Sequence, residues 1–219
     1  LALMRLNGLE AGIATFALAE LHAMTQEPLL RDPLQKAVQA CADAQQSTGG
    51  WDYSPKLTTR SDLSISNWHV QALRAARLGG IAVPKPAWEA ARRLYRGAAL
   101  KKSASYPYQV MQNYDPSPGT CAVTAACGLA SHYLELLPDQ DFDRRIAESL
   151  ASRVPVYGEP GKDGTSDSNG GWVATSAGHY FTYYATLFLF HAGGDQWTAW
   201  NLKMKRVLTG AQEKSGPAK

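Results

Sequence analysis

Apolar positions along this chain follow two rhythms. Gly12–Met24, Ile65–Leu78, Cys121–Leu134 and Tyr180–Ala192 are apolar on nearly every side and poor in charge. The other segments are two-faced. Phe142, Ile146, Leu150 and Val154 step by four, and Trp197, Trp200, Met204, Val207 and Ala211 step by three and four. Leu34, Val38 and Cys41 repeat the pattern between Asp32 and Gln46, as do Trp88, Ala91 and Tyr95 after Pro86. Such spacing predicts helices. A helix lacking a polar face must be covered by others, whereas a two-faced one lies over a core. No window alternates with period two, so essentially no sheet is expected beyond short hairpins in loops.

Punctuation supports these spans. Asp32-Pro33 reads as a capping side chain ahead of Pro at the first helical position, and Pro84-Lys85-Pro86 as a similar start. Gly79-Gly80 and Gly193-Gly194 suit left-handed helix ends, with Asp195 placed to cap the next helix. Aligning Ala17, Ala72 and Gly128 spaces the apolar helices by 55 and 56 residues, and Leu187 follows by 59. Each unit holds an apolar helix, a short turn, an amphipathic helix and a longer loop. The expectation is an all-α single domain over 1–219, with about four hairpins, an inner apolar ring and an outer amphipathic ring.

Composition narrows the class. With 45% hydrophobic and 19% charged residues among 219 and a net charge of +3, the chain is an ordinary globular sequence without a nucleic-acid footprint. Cys41, Cys121 and Cys127 have no metal-ligand spacing and read as small core residues. No secretory leader is evident. Ser168 to Gly194 carries no charge, but its glycines, histidines and hydroxyls favour a buried helix over a membrane span. Compartment is left open between cytoplasm and a periplasmic or secreted location.

The loop Gln45-Gln46-Ser47-Thr48-Gly49-Gly50-Trp51 has the pattern Gln-x3-Gly-x-Trp. Here Gln45 is placed to donate to orphan carbonyls at a helix end, Gly49 to permit the turn and Trp51 to lie over that end. A degenerate copy ends at Gly171-Trp172, and a third begins at Gln212 with Gly216 but Ala218 where Trp belongs. The loop resembles the glutamine-tryptophan repeat found in squalene–hopene cyclases and their relatives. With Ile13–Glu20, Ser66–Arg77, Val123–Leu129, Tyr183–Thr186 and Gly193–Trp197, nearly the whole chain resembles the prenyltransferase/squalene-cyclase repeat superfamily. It is most similar to bacterial repeat proteins of that group. The resemblance implies an α/α toroid. Such toroids close with more hairpins than the four found, so an excerpt, or a ring completed by another chain, is expected.

The catalytic residues of those enzymes are missing. No Asp-x-Asp-Asp acid occurs; Asp139-Gln140-Asp141-Phe142-Asp143 reads as charge at a helix start. No Asp-x-Cys zinc pair occurs, and Phe181 stands where the resemblance would place a histidine ligand. No cofactor or metal is expected. Gly158–Gly164 reads as a flexible loop, and the histidines at 22, 69, 132, 179 and 191 as core or rim residues. Lys85, Arg92, Arg93, Arg96, Lys101 and Lys102 form a basic strip, by default solvated.

The candidate site is the mouth of the inner ring. Glu10, Ser61, Asp62, Ser64, Ser66, Asn67, Trp68 and His69 lie near two apolar-helix starts; Ser176, His179, Tyr180, Tyr183 and Tyr184 lie near another. With Phe16 and Phe188 they are expected to line a concavity for a hydrophobic ligand, isoprenoid or lipid. Asp62 and Ser61 are equally ordinary caps. The alternatives are a protein-interaction scaffold with a partner at an open ring edge, and an enzyme using Asp62 and His69.

Overall fold

A computed structural model describes residues 7–54, 56–113, 116–136, 139–153 and 176–212. Among them the chain is all-α, with eight helices: α1 (Gly8–Thr25), α2 (Pro28–Asp43), α3 (Leu63–Leu78), α4 (Lys85–Ala98), α5 (Cys121–Tyr133), α6 (Gln140–Ala151), α7 (Ser176–Ala192) and α8 (Gly194–Ala211). Apolar and two-faced helices alternate as read from the pattern. Strands β1 (Arg60–Asp62) and β2 (Gln109–Met111) make one short antiparallel pair, Ser61 opposite Val110. They come from two consecutive inter-hairpin loops and form no hairpin, so the sheet ties repeat to repeat. Gly171, Trp172, Gly158–Gly164, Val154, Gly216 and Ala218 lie outside the described residues.

Helix starts follow local chemistry. Asn7 caps α1 in a reciprocal box: its side chain accepts from Glu10 N at 3.0 Å and the Glu10 carboxylate accepts from Asn7 N at 3.1 Å. Asp62 caps α3, and Asp139 caps α6 with Asp141 and Asp143 in the first turn. Two readings need correction. α2 begins at Pro28 behind a Glu27 cap, so Pro33 sits inside the helix on its exposed side instead of at the first position. The earlier Pro–cap pair wins because the proline ring suits the first turn, where its missing N–H costs nothing. Asp195 does not cap α8; Gly193 does, leaving Asp195 in the first turn. Gly80, Gly193 and Gly194 take positive φ as expected, but α1 ends on Gln26 at φ 54° with no glycine.

The described residues form two compact units. The first holds α1 to α4, both strands and the end of α5. Here α1 and α3 run parallel in close contact: a Cβ on Gly12 would lie 3.0 Å from Trp68 Cβ, and one on Gly79 would lie 3.3 Å from the His22 ring. Small residues at this seam let two backbones approach. α2 adds Leu34, Ala37, Val38 and Cys41 to the core, and α4 adds Trp88, Ala91, Leu94 and Tyr95. Arg77 lies over the Trp88 ring, 4.2 Å from its centroid.

The second unit takes the rest of α5 with α6, α7, α8 and Lys101–Ser105. α6 turns Phe142, Ile146 and Leu150 inward. Trp200 of α8 meets Phe181 edge-on at 5.9 Å and donates from Nε1 to Thr186 Oγ1 at 2.9 Å. Phe188 packs on Gly128, where a Cβ would fall 2.7 Å from its ring. Lys101 pairs with Asp139 at 2.5 Å over the Phe142 ring, and Arg145 donates to Lys101 O and Lys102 O. The basic strip is therefore not uniformly solvated.

Gly12→Val pushes two methyl groups into the α1–α3 seam, and urea denaturation of the variant should report a loss of about 2 kcal/mol, the cost of overpacking a tight contact.

Candidate functional site

α3 begins in a knot of buried polar groups. Asp62 Oδ1 accepts from Ser64 N at 2.9 Å, Ser64 Oγ at 2.6 Å and Ile65 N at 3.3 Å. Burial raises this carboxyl above the usual carboxylate range, opposed by Ser64 and the two backbone donors. Ser64 Oγ lies 3.3 Å from Tyr108 OH. Burial, Tyr108 and the Asp62 charge together raise the nearby Tyr53 phenol. Beside them Arg60 grips Asp52 with two bonds of 2.7 and 2.8 Å, and that guanidinium holds the Asp52 carboxyl low.

The glutamine-tryptophan loop is stitched into this knot. Gly50 N donates to Ser61 Oγ at 3.1 Å and Trp51 N to Ser66 Oγ at 2.8 Å. Ser61 Oγ in turn meets Thr48 Oγ1 at 2.5 Å, and Ser66 Oγ donates to Asp62 O at 2.8 Å. A Cβ on Gly50 would sit 2.6 Å from both serine hydroxyls, so only glycine fits. Gly49 takes φ 99° with Ala90 O against it, the turn glycine the pattern implies.

Gln45 does not serve the end of α2 as expected, and Trp51, which does reach that end, serves it instead. Gln45 Nε2 donates to Gly49 O at 2.8 Å and Ala87 O at 2.9 Å, spanning its own turn and reaching α4. It reaches no carbonyl of α2. The orphan carbonyl at the end of α2 is taken by tryptophan: Trp51 Nε1 donates to Cys41 O at 2.7 Å. The chain leaves α2 with Gln45 pointing toward α4, which delivers the buried indole to the helix end.

His69 completes the arrangement. Its ring stacks on Trp51 with centroids 4.8 Å apart and planes 4° from parallel. Its Nε2 lies 2.8 Å from Gly8 O, so the carbonyl accepts, Nε2 carries the hydrogen and Nδ1 keeps its lone pair. Nδ1 is buried without a hydrogen-bond partner. Burial lowers the imidazole to about 4, only partly offset by Gly8 O, so the ring is neutral near pH 7. Cys41, whose thiol donates to Thr15 Oγ1 at 3.5 Å, is raised to about 11 by burial and is no nucleophile at neutral pH.

The expected site residues divide by exposure. Glu10 reaches solvent but serves the Asn7 cap. Asn67 is buried, and its Oδ1 accepts from Tyr95 OH at 2.6 Å, a partnership with no signal in the sequence periodicity. Trp68 is half-buried, its ring 6.1 Å from that of Phe16. In α7, His179 and Tyr183 are exposed, Tyr180 is half-buried and Tyr184 is buried between Tyr180 at 4.6 Å and Tyr183 at 5.0 Å. Phe188 is core, not wall. Nothing in the spacing singles out Arg74, whose guanidinium lies 4.6 Å from the Tyr133 ring centroid while NH1 donates to Tyr133 O at 3.3 Å. Among the described residues no cluster of three His, Cys, Asp or Glu is placed to hold a metal, and no helix is long and apolar enough to cross a membrane.

Two outcomes follow from His69 and Trp51. A folded pKa below the unfolded value of 6.5 means that the unfolded chain binds more protons between about pH 4 and 6.5. This contribution is complete above pH 6.5 and lost as pH falls to about 4, with a ceiling of about 3 kcal/mol. Urea midpoints for the wild type and His69→Leu across that window should differ in slope. Trp51→Phe keeps a ring on His69 but orphans Cys41 O, and should lower stability by about 1–3 kcal/mol in the same assay. Comparison with protein-family models, curated proteins and solved structures finds no match for this chain.

Proposed function

We propose that this protein is a non-catalytic relative of the squalene-cyclase and prenyltransferase toroids that binds an isoprenoid or lipid on the solvent side of its apolar helices. The observation that carries the reading is the pair of half-buried rings, Phe16 and Trp68, side by side on α1 and α3. In the same unit, Arg74 and Tyr133 supply a cation and an aromatic face. An apolar surface with a few convergent polar groups is what an amphiphilic ligand requires. The alternation of helix kinds, the hairpin repeat and the glutamine-tryptophan loop support the kinship. The missing Asp-x-Asp-Asp and Asp-x-Cys motifs favour binding over turnover.

Asp62 and His69 are better placed as structure than as catalysts. The carboxyl of Asp62 spends Oδ1 on three cap donors, and His69 is sealed between Trp51 and Gly8.

Native mass spectrometry of protein extracted from cells should reveal an apolar adduct, and farnesol should quench tryptophan fluorescence saturably. Trp68→Ala should weaken that binding roughly tenfold while thermal stability shifts little, because the ring is only half-buried. An adduct-free protein with no saturable response to farnesol or palmitate would defeat the reading.

A further inference from the structure

We infer that the outer face of α1 is a docking surface for a second apolar helix of the same hairpin type, running parallel to α1 and presenting small residues to it. The inference does not depend on the ligand proposal.

α1 turns Gly8, Gly12, Thr15, Ala19 and His22 toward the core. The opposite side carries Ile13, Ala17, Leu21 and Met24 at helical spacing, and it is open: Ile13 is 40% exposed, Leu21 49% and Met24 83%. Exposed apolar side chains are ordinary singly, but a stripe along one helix marks an interface.

The repeat identifies what fits there. The caps Asn7 and Asp62 stand at the same point of successive units, 55 residues apart. By that offset Ile13, Ala14, Ala17, Leu21 and Met24 correspond to Trp68, His69, Ala72, Ala76 and Gly79. Those are the α3 positions turned toward α1: Trp68 and His69 meet Gly12, Gly79 meets His22, and Ala72 and Ala76 continue the face between them, fully buried. The stripe that α3 uses to receive α1 is thus present on α1 with nothing received among the described residues.

The chemistry of the occupant follows from the seam already formed. At this seam α1 presents Gly12 to Trp68 and His69, and the backbones approach closely as a result. Ile13, Leu21 and Met24 are bulkier than Ala72, Ala76 and Gly79, so an arriving helix must supply small residues at the same spacing. In a repeat protein each unit is stabilised by its neighbour, so a face that matches the one α3 uses suits another helix of the same kind.

The test uses the full chain and a tandem chain with residues 7–61 duplicated ahead of residue 7, which preserves the 55-residue spacing. Ala17→Cys in the resident α1 reports exposure through its iodoacetamide labelling rate. The tandem chain should gain helical signal in circular dichroism, and labelling should slow at least about tenfold relative to the unextended chain. Leu21→Asp in the resident α1 should restore fast labelling while leaving the unextended chain folded, since Leu21 is exposed there. No added helix, or added helix with unchanged labelling, overturns the inference. So does protection of the unextended chain by phosphatidylcholine vesicles, or by its own concentration, without protection in the tandem chain.

Discussion

The first unit depends on the obligation to satisfy polar groups buried between apolar helices. Four backbone carbonyls at the end of each helix have no partner within it. At the end of α2 one of them, Cys41 O, is buried by the next repeat and is taken by the Trp51 indole. The indole lies flat on His69, and His69 reaches Gly8 O at the start of α1. A single stacked pair therefore joins the end of α2, the first turns of α3 and the entry of α1. The hydroxyls of Ser61 and Ser66 take the loop amides that follow, so the loop is closed by side chains where it has no ladder of its own.

Much of this was legible from spacing. Helix kind followed from how many sides were apolar, and the two-faced helices bury the residues their periodicity nominates, such as Phe142, Ile146 and Leu150. Boundaries were less legible where two signals compete, as Pro28 and Pro33 do at α2. The motif Gln45–Trp51 was recognisable, but which residue serves the orphan carbonyl depends on the direction the chain takes after α2, and composition does not encode direction. Asn67 with Tyr95 and Arg60 with Asp52 were invisible for a related reason. They join residues that become neighbours only after the hairpins pack.

The candidate site was only half legible. Two residues near the start of α3, Asp62 and His69, carry shifted acidities. Their partners are internal, however: cap amides, a carbonyl and an indole. The groups facing solvent, Phe16, Trp68 and Arg74, differ from the groups that are most perturbed. Perturbation here reports burial and stitching.

The pairing of β1 with β2 carries one more implication. Helical arrays in which units touch only through side chains can lose or gain a unit without disturbing distant ones. Here the loop before α3 borrows backbone partners from the loop after α4: Leu63 N donates to Tyr108 O at 2.9 Å, and Asp62 pairs with Gln109. Excising a whole unit, α3, α4 and the loop after them, would remove β2 along with the hairpin and leave β1 without its partner. Whole-unit deletion is thereby costlier here than in an array joined through side chains alone, because it leaves one loop's backbone groups without their partners.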